Sequence, residues 1–179
     1  MKRLTADQYL WSLAFAAAKR GTCDRFEGGC VIARDGILVA TGYNGSAPGE
    51  PHCSDVGHEL VQVYPTFQEE GAPDETEQHC TRTIHAEINA VVNAASLGVS
   101  IQHCDWYVTG LPCVGCSRVI ARLEPHRMFV CGDRGCVEDD KVALIQWWKK
   151  RRTLFGYPDS LFVKTLEELV EQGVVPDSK

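Results

Sequence analysis

The strongest constraint on the fold of this chain is a histidine, a glutamate and two cysteines that are spaced as in a metal centre. His85-Ala86-Glu87 begins one run of helical apolar periodicity, and Pro112-Cys113-Val114-Gly115-Cys116 begins another. Cys113 and Cys116 share one side of a helix start, where the helix dipole favours thiolates. One imidazole and two thiolates supply three ligands to a tetrahedral zinc ion and leave its fourth position to water. The sequence therefore predicts two helix starts that converge on one zinc ion.

Glu87 distinguishes a catalytic zinc from a structural one. It follows His85 by two positions, so its carboxylate reaches the water at the open position without binding the metal. A carboxylate there takes the proton of that water and passes it on. The C-x-x-C pair alone leaves open a structural zinc or two buried cysteines, and the added His-x-Glu favours catalysis.

Length and composition predict an ordinary single domain. The 179 residues suffice for one sizeable core, and no apolar run reaches membrane-spanning length. The N-terminus lacks the apolar segment of a secretion signal. We expect one domain over residues 1–179, in the cytoplasm and without a membrane partner. The nine cysteines then indicate metal ligands or buried thiols rather than disulfides.

The net charge of −6 comes from one stretch of the chain. Residues 59–78 hold six of the 24 acidic residues and none of the 18 Lys and Arg residues. Neither this stretch nor the remainder forms the basic surface of a nucleic-acid-binding protein, so no nucleic-acid partner is expected. The basic run Lys149–Arg152 follows acids at 138–140, as at the two ends of a solvated helix.

The order of helical and extended segments predicts a three-layer α/β/α sandwich around a mixed sheet of about five strands. A capping box of Thr5 and Gln8 begins a helix that ends near Gly21, and a hairpin follows. Residues 59–78 contain Pro65, Gly71 and Pro73, and they predict an irregular, exposed acidic insertion. The remaining predicted helices are 85–97, 113–123, one from 138 and 166–172, and the remaining strands are 105–109, 127–131 and 161–164.

Several motifs together resemble a known family. They are Cys23-Asp24-Arg25, Gly42-Tyr43-Asn44-Gly45 with Pro48-Gly49, Cys53, residues 79–90 and residues 107–116. Over about residues 4–132 the chain resembles the deoxycytidylate (dCMP) deaminases of bacteria and phages, within the cytidine deaminase-like zinc superfamily. The resemblance implies hydrolysis of dCMP to dUMP and ammonia for thymidylate synthesis. It assigns zinc to His85, Cys113 and Cys116, and the proton shuttle to Glu87.

Two further residues are candidates for nucleotide recognition. Asn44 is the candidate for the sugar 3′-hydroxyl, because an amide both donates and accepts, and Gly45 beside it allows close approach. Arg25 is the candidate for the phosphate, through its charged fork. The alternatives are a left-handed turn residue at Asn44 and a surface arginine at Arg25.

The resemblance also implies a second, structural zinc. Cys23, Cys53 and Cys80 with one histidine make a closed four-ligand site. His58 is favoured as the fourth ligand because it follows Cys53 with a C-x4-H spacing, while His52 and His79 each adjoin a cysteine. The alternative is three buried free thiols.

Residues 133–179 form a C-terminal extension that the resemblance does not cover. The family also implies a homo-oligomer, often a hexamer, with dCTP and dTTP as effectors.

Other functions stay open. They are deamination of dCTP, of a modified deoxycytidylate, of a free nucleoside or of a tRNA base, or a binding protein that is stabilised by zinc and has no catalytic activity. An intact Glu87 weighs against the last.

Overall fold

The computed structural model describes residues 3–63, 77–132 and 161–176. Its helices and strands follow each other in this order: α1 (Ala6–Ala18), β1 (Gly29–Arg34), β2 (Ile37–Tyr43), α2 (Cys53–Val56), β3 (Leu60–Val63), β4 (Glu77–Cys80), α3 (Ala86–Ser96), β5 (Asp105–Val108), α4 (Val114–Arg122), β6 (Arg127–Cys131), β7 (Leu161–Lys164) and α5 (Leu166–Glu171). The helix predicted from Glu138 and the basic run Lys149–Arg152 lie outside these residues.

The main sheet is mixed, as predicted. Its strand order is β2-β1-β5-β6-β7. Strand β1 is antiparallel to both β2 and β5, whereas β5, β6 and β7 are parallel to one another. A parallel pair needs a crossover, and α4 supplies it between β5 and β6. The carboxyl end of β5 therefore leads directly into the cysteine pair at the start of α4.

Helices cover both faces of this sheet. On one face, α1 and α5 bury an apolar cluster that includes Trp11, Phe129 and Leu169. On the other face, α3 and α4 pack over a second cluster that includes Ala90 and Ile120. The predicted α/β/α sandwich is confirmed. Among the described residues, no helix has the length and apolar character needed to cross a membrane.

Helix α3 lies unusually close to strand β2. A Cβ atom added to Gly42 would lie 2.1 Å from the carbonyl oxygen of Ala86 and 2.4 Å from the amide nitrogen of Ala90. Only a residue without a side chain permits this approach. The contact fixes the first turn of α3, which carries Glu87, against the end of the edge strand.

The ends of the acidic insertion are not irregular, and that prediction is wrong there. Strand β3 pairs antiparallel with β4, with Leu60 opposite Cys80 and Val63 opposite Glu77. The β-branched Val61 and Val63 favour an extended strand, and a partner strand satisfies its backbone groups. Strand β4 of this two-stranded sheet ends at Cys80, one of the cysteines predicted to bind the second zinc.

Candidate active site and metal centres

His85, Cys113 and Cys116 form one compact cluster, as the sequence predicts. His85 is the N-cap of α3, and Cys113 is the N-cap of α4. The Nδ1 atom of His85 lies 3.5 Å from the Sγ of Cys113 and 3.4 Å from the Sγ of Cys116. The Cys113 sulfur also accepts a hydrogen bond of 3.5 Å from the Cys116 amide. Two helix N-termini thus meet at three ligand atoms.

These distances fit zinc. Ordinary Zn–N and Zn–S bond lengths in a tetrahedron place the nitrogen and each sulfur about 3.6 Å apart. The three donor atoms lie within 4.8 Å of one another. An imidazole and two thiols are also the donors that zinc prefers over magnesium or calcium.

Electrostatics at this cluster favour a thiolate. Hydrogen bonds from Cys116 and His85 lower the pKa of the Cys113 thiol to about 3, although burial opposes the shift. The hydrogen bond to Cys113 raises the pKa of His85 to about 9. Without a metal ion, these shifts favour a thiolate at Cys113 and a protonated imidazole at His85. A metal ion that binds here displaces the imidazolium proton.

Glu87 lies in the first turn of α3 and is buried. Burial raises the pKa of its carboxyl above the ordinary value, and the charge of His85 acts in the opposite direction. A buried carboxyl with a raised pKa, beside side chains that could hold a metal ion, is a candidate for a catalytic acid or base.

A second cluster contains Cys23, Cys53, His58 and Cys80, and one ligand atom from each lies within 4.8 Å of the others. The Sγ atoms of Cys53 and Cys80 are 3.6 Å apart, and the Sγ of Cys23 is 3.7 Å from Nδ1 of His58. Tetrahedral zinc requires about 3.8 Å between sulfurs and about 3.6 Å between nitrogen and sulfur. The four side chains match a closed zinc site.

The three histidines that are candidates for the fourth ligand have different surroundings in the structure. His58 is within the second cluster, and its Nε2 atom lies 3.1 Å from Oδ1 of Asp24. His52 instead faces Asp55 at 4.0 Å. His79 lies towards the first cluster, with its ring centroid 6.2 Å from that of His85.

Asn44 and Gly45 lie beside the first cluster. Gly45 and Ile84 exchange two backbone hydrogen bonds of 3.1 and 2.9 Å, immediately before His85. Asn44 is buried, and its Oδ1 accepts a hydrogen bond of 2.9 Å from the Gly28 amide, while its Nδ2 donates to the Phe26 carbonyl. The turn that carries the candidate sugar contact is therefore joined to the segment that carries His85.

Arg25 lies at the surface, in the loop that supplies Cys23 to the second cluster. Its guanidinium donates a hydrogen bond of 2.9 Å to the carbonyl of Gln78 on β4. The remaining N–H groups of the fork are enough for a bidentate contact with an anion.

The family model for the cytidine and deoxycytidylate deaminase zinc-binding region matches residues 4–132. The chain belongs to this family. Among curated deaminase relatives, it is 34% identical over 126 residues to the deoxycytidylate deaminase of Mycobacterium phage D29, covering 68% of this chain and 90% of the relative. It is 29% identical over 142 residues to that of Enterobacteria phage T4, covering 66% and 74%.

Another relative has a different name. The chain is 36% identical over 133 residues to ComE operon protein 2 of Bacillus subtilis, covering 74% of this chain but only 62% of that protein.

Among solved structures, the dCMP deaminase of cyanophage S-TIM5 in complex with dCMP and dUMP superposes with a TM-score of 0.59 at 19% identity. The alignment covers 93% of this chain and all of the phage chain. The deaminase fold predicted from sequence is confirmed.

Two residues near the centres were not predicted from sequence. Asp24 contacts His58, and Asn89 on α3 donates a hydrogen bond to the carbonyl of Tyr43, the last residue of β2. Asp24 adjoins a predicted ligand, but nothing in the sequence indicates which histidine it faces. Asn89 follows His85 by one helical turn and lies in the family-like segment 79–90, but neither signal indicates its partners.

Proposed function

We propose that this chain is a zinc-dependent deaminase that converts dCMP to dUMP and ammonia. The observation that carries the proposal is the three-ligand cluster of His85, Cys113 and Cys116 with the buried Glu87 beside it. Membership of the deaminase family and relatives named deoxycytidylate deaminase support the choice of substrate. A cluster with three protein ligands has an open position, which distinguishes it from a closed structural site.

In this proposal, His85, Cys113 and Cys116 hold the catalytic zinc. Zinc in such a site lowers the pKa of water to about 7 and so supplies a nucleophile at neutral pH. The chain contributes the geometry of the ligands, which both helix starts fix. It also contributes a site in which the N–H groups of two helix N-termini stabilise negative charge.

Glu87 moves the protons of the reaction. Its carboxylate takes a proton from the attacking water and delivers protons to N3 of the ring and to the leaving amine. Burial raises the pKa of this carboxyl above its ordinary value, so Glu87 holds a proton more readily than an exposed glutamate does. Hydrolysis at C4 then gives the uracil ring and ammonia.

Asn44, Gly45 and Arg25 recognise the nucleotide in this proposal. The Asn44 amide uses one donor and one acceptor for the backbone at Phe26 and Gly28, and each end keeps one further position for the sugar 3′-hydroxyl. Gly45 lets the sugar approach the main chain. Arg25 binds the phosphate.

A second zinc, bound by Cys23, Cys53, His58 and Cys80, completes the proposal. Two observations support it: donor distances that match a tetrahedron, and the Asp24 carboxylate on the far side of the His58 ring. Such carboxylate–histidine pairs orient metal-binding imidazoles. A four-ligand site leaves no position for water, so this zinc stabilises the loops that carry Arg25 and Asn44.

The wider organisation remains part of the proposal. It comprises one domain over residues 1–179 with an acidic insertion at 59–78 and an extension at 133–179. A homo-oligomer with dCTP and dTTP as effectors rests on the family resemblance, and the cytoplasmic location rests on the sequence pattern.

Ammonia release from a panel of dCMP, dCTP, deoxycytidine and CMP tests the substrate. We expect dCMP to have the highest kcat/KM. Preference for dCTP would identify a deaminase of another cytosine nucleotide, and no release from any substrate by zinc-loaded protein would favour a binding protein.

A further inference from the structure

We infer that Asn89 is a positioning residue that holds the catalytic helix α3 in register with the nucleotide-binding turn after β2. The inference rests on the proposed function, because it concerns how Glu87 and Asn44 meet one substrate. The Nδ2 group of Asn89 donates to the carbonyl of Tyr43 at 2.7 Å and to the carbonyl of Ile84 at 3.3 Å. One amide thus contacts the residues that immediately precede Asn44 and His85.

These two carbonyls belong to segments that already contact each other. Ile84 and Gly45 form a two-bond bridge, so the metal-binding segment and the turn lie side by side. The Asn89 side chain adds helix α3 to this pair. The main-chain amide of Asn89 also donates to the carbonyl of His85 at 2.9 Å. Asn89 therefore links the helix that carries Glu87 to both segments at the site.

The link matters because the reaction needs a fixed distance between two groups on different segments. Asn44 is proposed to hold the sugar, and Glu87 moves protons on the base. Misplacement of reacting groups by about 1 Å costs on the order of 10²-fold in rate. The Gly42 contact restrains how far α3 lies from β2, and Asn89 restrains how far it slides along β2.

An amide suits this position because its nitrogen has two protons for two carbonyl acceptors. An aspartate of the same shape has no proton to donate when ionised, and it would place negative charge against both carbonyls. Asn89 is half-buried, and loss of its amide removes a hydrogen bond from the Tyr43 carbonyl, whereas the Ile84 carbonyl keeps the bond from the Gly45 amide.

Asn93 is a matched control. It lies one helical turn further along α3, and its Nδ2 donates a hydrogen bond of 2.8 Å to the carbonyl of Thr41 on the same strand. The bond joins the same two elements, but it lies farther from the metal cluster and is exposed. Loss of the Asn93 bond removes a helix-to-strand contact without affecting the turn.

The test compares Asn89→Asp and Asn93→Asp in the zinc-loaded full chain, with Asn89→Ala as a second variant that adds no charge. We expect both Asn89 variants to lower kcat/KM for dCMP by roughly 10- to 100-fold, with a raised KM, and Asn93→Asp to stay within about twofold. KM does not depend on the fraction of folded enzyme, so a merely structural role would leave it unchanged. Unchanged KM in both Asn89 variants, or an equal rise in Asn93→Asp, would overturn the inference.

A second readout separates this inference from the proposed function. Co²⁺ in place of zinc has visible absorption bands that report the arrangement of the histidine and cysteine ligands. We expect the Asn89 variants to alter these bands and Asn93→Asp to retain the wild-type spectrum. If wild-type protein does not deaminate dCMP, the proposed function fails while the bands still test Asn89. Identical bands in all variants would contradict its positioning role.

Discussion

The Sγ atoms of Cys53 and Cys80 lie 3.6 Å apart, although Cys53 begins α2 and Cys80 ends β4. This separation is too long for a disulfide bond of about 2.05 Å and close to the distance between two sulfurs on one zinc ion. The contact joins the loop after Asn44 to the strand that leads to His85. The second cluster is therefore expected to influence stability more than chemistry.

The first prediction is that zinc-loaded protein holds about two zinc ions per chain. Cys53→Ser should hold one, melt at a lower temperature and retain turnover while folded, because metal binding contributes to folding free energy. Metal analysis and thermal melts measure this. Cys104→Ser is the control, since Cys104 is buried in the core outside both clusters and its replacement should leave two zinc ions. A content of one zinc ion per chain in fully loaded wild-type protein would mean that the cysteines of the second cluster are ordinary buried thiols.

The second prediction concerns the Asp24 contact with His58. Asp24→Asn should lower the affinity of the second cluster for zinc by about 10- to 100-fold. The reason is that the Asp24 carboxylate orients the His58 ring and makes its metal-binding nitrogen more basic. Competition with a chelator measures the affinity. Asp55→Asn, which alters the partner of His52 instead, should have little effect. Equal effects of the two variants would argue against His58 as the ligand, and unchanged zinc content in His58→Ala would favour His79 or His52.

The third prediction is that metal-free protein reacts with iodoacetamide at Cys80 before Cys53. Burial acts to raise the Cys80 pKa, but hydrogen bonds to the Glu59 main chain and to His58 outweigh it and lower the pKa to about 6. Burial and hydrogen bonds to Cys80 and Cys23 raise the Cys53 pKa to about 12. The thiolate is the reactive form, so Cys80 labelling should persist at pH 7 and decline as pH falls below about 6. Peptide mass spectrometry identifies the site, and zinc should block the reaction. Labelling that zinc does not affect would mean that Cys80 is not a ligand.

The fourth prediction concerns phosphate recognition. Arg25→Ala should lower kcat/KM for dCMP by a factor that corresponds to about 1.5–3 kcal/mol of transition-state stabilisation, the range for a hydrogen bond to a charged group. The kcat/KM for deoxycytidine should be almost unchanged. Arg20→Ala is the control, because Arg20 lies over the ring of Tyr43 at 6.0 Å and has no assigned phosphate role. An equal loss on both substrates in Arg25→Ala would assign Arg25 to the fold and place the phosphate elsewhere.

The proximity of His85, Cys113 and Cys116 was predictable because its signals are local. A histidine and a cysteine pair at the starts of two helices have fixed positions within their own segments. The two helices precede and follow the same strand, β5, and their starts meet in the structure. The capping box of Thr5 and Gln8 likewise identified the start of α1 from neighbouring residues alone.

The remaining features depend on distant parts of the chain. Strands β3 and β4 were missed because prolines and acids between them suggested an irregular loop, whereas their pairing joins residues on either side of it. The contacts of Asn89 with Tyr43 and of Asp24 with His58 depend on tertiary packing, and no spacing in the sequence encodes them.

The most direct test of the account is the activity and zinc content of Glu87→Gln. Glu87 moves protons and is not a metal ligand in this account, so the variant should keep its catalytic zinc and lose dCMP deamination by about 10²- to 10⁴-fold or more. His85→Ala should instead lose both the catalytic zinc and the activity. The measurement is ammonia release from dCMP beside metal analysis of the same samples. Full zinc content with near-abolished turnover is the predicted result, and near-normal turnover in Glu87→Gln would contradict the proposed chemistry.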